Sequence, residues 1–126
     1  MKPPVWLERD DCLAIHEMML AQHGGRAGVR DEGMLESALG KPKNLLAYGS
    51  PTLAELAASY AAGIILNHPF IDGNKRTGFL VAATFLELNE VEFMAAEESV
   101  VEKTLALAAG GLKEAGYAAW LKTNSR

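Results

Sequence analysis

The sequence predicts an all-α protein, a compact bundle of about six helices with a functional loop between the two central ones. Three observations carry this expectation. Apolar residues recur at helical spacing in several segments. Two of these, "LAELAASYAAGIILN" and "KRTGFLVAATFLELN", are apolar on nearly every side, as helices at the centre of a bundle must be. Strand signals are confined to "VEF". A chain of 126 residues fits one domain and one core.

Each element has a local reason. Asp10 or Asp11 is expected to cap a first helix that runs to about Gln22. Cys12, Ile15, Met18 and Met19 form its apolar face, and Gly24-Gly25 stops it. A short helix after Asp31 should turn Met34, Leu35, Ala38 and Leu39 inward and end at Pro42. Lys41, Lys43 and Asn44 then fall in a solvated loop, and Tyr48 and Tyr60 serve as packing residues. Thr52 followed by Glu55 has the form of a capping box, opening a helix that runs to Leu66 or Asn67. Pro69 disfavours helical geometry at His68 and closes that helix. The next helix is expected over Asn74 to Asn89, and two more near Glu98–Ala109 and Leu112–Lys122. Trp6 and Trp120 should close the core, while His16 and His23 belong at surface or boundary positions.

Composition narrows the function classes. The net charge of −4 gives no general attraction to nucleic acid or to an anionic membrane. Cys12 is alone, which excludes an internal disulfide and a cysteine-based zinc site and suits a reducing compartment. The opening "MKPPVWLERDD" lacks the apolar run of a signal peptide, and no apolar stretch reaches the roughly 20 residues that span a bilayer. The expectation is a cytoplasmic protein.

The chemistry is concentrated in "NHPFIDGNKRTGF". This loop joins two buried helices and ends at a helix N-terminus, where unpaired N–H groups and the helix dipole attract anions. Lys75 and Arg76 fall in the first turn of that helix, where cations are disfavoured by about 0.3–1 kcal/mol each. A bound anion reverses that sign. Backbone N–H groups, a lysine point charge and an arginine fork then converge on one ligand, and phosphate suits all three. Asp72 adds a hard oxygen ligand for Mg²⁺, which takes one or two carboxylates beside phosphate oxygens. His68 has the chemistry to accept a proton from a hydroxyl nucleophile. Together these describe phosphoryl or nucleotidyl transfer. The same residues also admit a purely structural reading: a helix end, a turn, a cap at Asp72 and two solvated cations.

The string "HPFIDGNKR" resembles the signature of Fic-domain proteins, His-x-Phe-x-Asp/Glu-Gly-Asn-x-Arg. With Lys75 after Asn74 it looks more like the Doc (death-on-curing) branch, as do "IHEMMLAQHGG", "GVRDEGMLESAL" and "FLELNEVEF". The resemblance implies a single domain over residues 1–126 with its core from about Val5 to Leu121. The resemblance implies a role at each position. His68 matches the catalytic base, Phe70 the aromatic that anchors the loop, and Asp72 the Mg²⁺-holding acid. Gly73 and Asn74 match the anion hole, Lys75 the Doc-type lysine and Arg76 the phosphate-binding arginine. It further implies a toxin that transfers the γ-phosphate of ATP to a hydroxyl of elongation factor Tu. The alternatives are an adenylyltransferase and an inactive binding protein. Fic enzymes carry a second arginine where this chain has Phe79, which favours the Doc branch, whereas Gly73 is the Fic residue in place of the Doc alanine. No internal Ser/Thr-x-x-x-Glu-Gly/Asn inhibitory segment occurs, since Ser50 and Glu55 are one residue too far apart. Inhibition is therefore expected from a Phd-like antitoxin that docks a disordered segment.

Overall fold

The computed structural model describes residues 2–126. Six helices follow in order: α1 (Arg9–His23), α2 (Glu32–Ala47), α3 (Leu53–Asn67), α4 (Asn74–Leu88), α5 (Glu97–Ala109) and α6 (Glu114–Thr123). Among the described residues extended pairing is limited to two isolated bridges, Val29 with Phe70 and Phe93 with Ser125. The expected all-α bundle is therefore the observed architecture. The "VEF" piece is extended, its Glu92 exchanging backbone hydrogen bonds with Arg126.

Helix α3 is the axis of the molecule. It packs against α2, α4, α5 and α6, and its residues from Leu56 to Ile65 are buried on every side. That burial explains its uniformly apolar sequence. The Thr52 hydroxyl accepts from the Glu55 N–H at 3.1 Å, and the Glu55 carboxylate accepts from the Thr52 N–H at 2.9 Å. At the other end His68 takes the left-handed conformation, φ 54° and ψ 53°, its N–H donating to Ile64 O. The helix stops where Pro69 forbids its continuation.

Small residues set the distance between helices. A Cβ on Gly63 of α3 would sit 3.0 Å from Ala38 Cα of α2, and one on Gly78 of α4 would sit 2.7 Å from Ile65 Cγ1 of α3. One apolar cluster draws on all six helices, with Tyr60, Phe70, Phe85 and Tyr117 fully buried. Trp6 stacks on Phe85 and Trp120 packs edge-on to Phe93, so both tryptophans close the core as expected.

The structure corrects several local expectations. Pro42 does not end α2; the helix continues to Ala47 with Pro42 buried inside it. An internal proline costs a hydrogen bond, here the one to Ala38 O. Leu35, Ala38 and Pro42 share one face at helical spacing, and their burial offsets that loss. Lys41, Lys43 and Asn44 consequently lie on a helix, where Lys41 pairs with Glu114 and Lys43 with Glu8. The cap of α1 is Glu8, with Asp11 completing the box by accepting from the Glu8 N–H at 2.8 Å. Asp10 and Asp11 are thus first-turn residues of the helix. Met18 and Met34 face solvent, and Tyr48 is 91% exposed, so it packs against nothing.

Candidate active site

The loop between α3 and α4 is built around two residues. Phe70 is fully buried, as the family resemblance implies for the aromatic of the loop. Asn74, 3% exposed, spends its whole side chain on Phe70: Oδ1 accepts from the Phe70 N–H and Nδ2 donates to the Phe70 carbonyl, both at 3.0 Å. The Asn74 side chain is therefore a brace inside the loop, and only its backbone N–H remains to meet an anion.

The segment between α1 and α2 holds the loop from outside. Ile71 N–H donates to Gly28 O at 3.1 Å, and Arg30 and Asp31 N–H both donate to Pro69 O. The Arg30 guanidinium donates to His68 O at 2.7 Å and to Asn67 O at 3.0 Å. The Arg26 N–H donates to Asp72 Oδ2 at 2.9 Å. This strap fixes a backbone that includes a left-handed histidine, a conformation costing about 1–2 kcal/mol outside glycine.

His16 corrects the expectation of a surface or boundary position. It is 3% exposed and lies face to face on Phe70, ring centroids 3.8 Å apart and planes 9° apart. Its Nε2 lies 2.8 Å from Asp72 O. The available signal was its place in the apolar stripe of α1, four residues after Cys12 and three before Met19. Arg30 had no such signal, because its partners lie far along the chain.

His68, Asp72, Lys75 and Arg76 are exposed and, with Gly73 and Asn74, line one cleft of about 870 Å³. The far wall of that cleft is apolar and includes Phe79, Met94, Val101 and Leu105. No side chain caps the start of α4, where Gly73 is left-handed at φ 80° and the first turn carries no acid. Thr77 makes the first backbone bond of the helix, to Gly73 O, which leaves the N–H groups before it unpaired by helix geometry. Among the described residues neither Lys75 nor Arg76 has an ion-pair partner. Five potential donors for an anion thus meet at one uncapped helix end: two cations and the N–H groups of Asn74, Lys75 and Arg76.

The donor set suits one kind of cation. Asp72 Oδ2 is engaged by Arg26, leaving Oδ1. Among the described residues no three His, Cys, Asp or Glu side chains gather as a metal cage. A hard ion that takes one carboxylate oxygen and completes its shell with phosphate and water fits, as Mg²⁺ does; zinc, which needs several protein ligands, does not.

A sequence model of the Fic/DOC family matches residues 6–86. The chain belongs to that family. The match covers α1 to α3, the strap, the whole loop and α4 as far as residue 86. Two relatives extend it. The chain is 37% identical over 93 residues to the "Toxin Doc" of Mycolicibacterium smegmatis, covering 71% of this chain and 68% of that protein. It is 30% identical over 114 residues to the "Protein kinase doc" of Escherichia phage P1, covering 90% of each. The resemblance to the Doc branch seen in the loop thus extends along the Fic/DOC fold. Among the described residues no helix is long and apolar enough to cross a membrane.

Proposed function

We propose that this Fic/DOC chain is a toxin that transfers the γ-phosphate of ATP to a hydroxyl side chain of a protein, elongation factor Tu by family resemblance, and so blocks translation. One observation carries the reading: the uncapped N-terminus of α4, with unpaired Lys75 and Arg76 in its first turn, opens beside His68 and Asp72 in the same cleft. The names of the two relatives, one a toxin and one a protein kinase, support it.

The residues divide the work by chemistry. Lys75, Arg76 and the first N–H groups of α4 bind and orient the phosphates. Asp72 would hold Mg²⁺, which neutralises charge on the phosphate oxygens when bound. His68 takes the proton of the attacking hydroxyl. The hydroxyl oxygen forms its bond to the γ-phosphorus as the bond from that phosphorus to the bridging oxygen breaks, and ADP leaves with that electron pair. Phe79, where the resemblance places a second arginine in adenylylating Fic enzymes, leaves one cation fewer for the seating of ATP that adenylylation uses.

Control follows from the same cleft. Met94, Val101 and Leu105 are half exposed along its apolar wall. An amphipathic helix of a Phd-like antitoxin, disordered until bound, matches such a groove. The deciding experiment incubates the protein and Mg²⁺ with cell extract containing elongation factor Tu and either γ- or α-labelled ATP. Transfer of γ-label alone is expected. Transfer of α-label would instead establish adenylylation, and no label in any protein would leave a binding protein.

A further inference from the structure

We infer that His16 is a positioning residue, which holds the Asp72–Gly73 peptide so that the Gly73 N–H faces the phosphate side of the cleft; this rests on the phosphoryl-transfer reading above. His16 is the one histidine buried in the core, and the mechanism leaves it without a role. It meets the loop at Phe70 and Asp72 and lies beside Gly73. Its ring lies flat on Phe70. Its Nε2 is 2.8 Å from Asp72 O. Its Cδ2 and Nε2 lie 3.6 Å from where a Cβ on Gly73 would stand.

The argument is one of peptide geometry. A carbonyl oxygen only accepts, so His16 Nε2 carries the hydrogen and donates. The chain has no cis peptide bonds. In a trans peptide the carbonyl and the following N–H point in opposite directions. An Asp72 carbonyl drawn in to His16 therefore turns the Gly73 N–H away from His16. Gly73 and Asp72 both line the cleft, and among the described residues no acceptor takes the Gly73 N–H. Gly73 is also the one residue of the loop whose backbone tolerates a peptide flip, because it lacks a side chain and already sits at φ 80°. Without the bond from His16 the peptide is released to turn, and the flipped orientation presents a carbonyl dipole to the phosphate. His16 thus acts through Gly73, adding a donor to those of the α4 terminus.

Two substitutions separate the parts of this role. His16→Phe keeps a flat ring on Phe70 and loses the donor. His16→Gln loses the ring and keeps a donor of similar reach. The first readout needs no reaction: inorganic phosphate is titrated into the ¹⁵N-labelled full chain while amide resonances are followed. The Gly73 amide proton should move downfield in wild type and His16→Gln, and stay in place in His16→Phe, while the Lys75 and Arg76 amides respond in all three. In γ-phosphate transfer, His16→Phe should lower kcat at least about tenfold, short of the ~10²–10³ lost with a whole oxyanion donor, with KM for ATP little changed. His16→Gln should recover most of it. A Gly73 amide that ignores phosphate in wild type, or responds equally in His16→Phe, overturns the inference, as does equal impairment of both variants. Absence of any transfer would sink the kinase reading alone, since the titration still decides this one. Should His16→Phe not fold, His16→Gln against His16→Met makes the same comparison at equal chain length.

Discussion

Asn74 and Phe70 bond each other twice, side chain to backbone, with both distances 3.0 Å and both residues buried. The pairing fixes which Asn74 atom is oxygen, because the Phe70 N–H needs an acceptor and its carbonyl a donor. Asn74→Ala orphans two buried backbone groups, at about 1–3 kcal/mol each. Urea unfolding should show a loss of about 2–6 kcal/mol, the sum over the two groups. Asn74→Asp should lose nearly as much, since a carboxylate cannot donate to the Phe70 carbonyl. Stability within about 0.5 kcal/mol of wild type in either variant would show that the brace is idle, by comparison with ordinary surface changes.

His68 and Asp72 should fail in different ways. His68→Ala is expected to lower kcat by about 10²–10⁴ and leave ATP affinity largely intact, because the base meets the nucleophile and not the phosphates. Asp72→Ala should abolish the dependence of activity on Mg²⁺ together with the activity. Label transfer across a Mg²⁺ series measures both. Full activity in either variant removes that residue from the site.

Arg30 reaches two carbonyls of the loop with one planar group. Arg30→Lys cannot span both, so it should behave like Arg30→Ala. Each is expected to cost about 1 kcal/mol of stability and to speed amide exchange at Ile71, whose N–H bonds to the same strap. Unchanged exchange at Ile71 would show that the strap holds without its arginine.

Gly78 is where α4 meets α3. In an exposed helix Gly→Ala gains about 1 kcal/mol from propensity. Here the new methyl would stand 2.7 Å from Ile65 Cγ1 and 3.2 Å from Ala61 O. Overpacking of about 1–3 kcal/mol should outweigh the propensity. Gly78→Ala is therefore expected to lower Tm, and the double variant with Ile65→Val to recover part of it. A raised Tm in the single variant contradicts the close approach.

The fold should weaken in alkali. Burial pushes the Cys12 thiol up to about 12 from an ordinary value near 9, and the Tyr60 and Tyr117 hydroxyls up to about 12 from near 10. Each keeps its proton in the folded state at a pH where the unfolded chain has lost it. The unfolded state then binds fewer protons, and stability falls as pH rises. The contribution is complete below about pH 9 and lost through about pH 12. Urea midpoints across that window should decline, and less steeply in Tyr117→Phe. A flat profile would mean these groups titrate as in the unfolded chain.

The helices and the place of the loop between α3 and α4 were legible in the chain itself. Thr52 with Glu55, Gly24, and Pro69 after His68 act within four residues of where they stand, so local rules read them. The uniform apolarity of α3 required a central helix, and the cations at the start of α4 marked the loop as a candidate anion site beside the structural alternative. Tertiary structure alone decided the rest. Pro42 stays in α2 because the face it shares with Leu35 and Ala38 is buried. His16 meets Asp72 from 56 positions away, and Arg30 meets His68 from 38. Contacts of that separation leave no period or cap in the sequence. They arise when α1 and the strap pack against the loop, where a buried polar group must find its partner or forfeit the cost of leaving water.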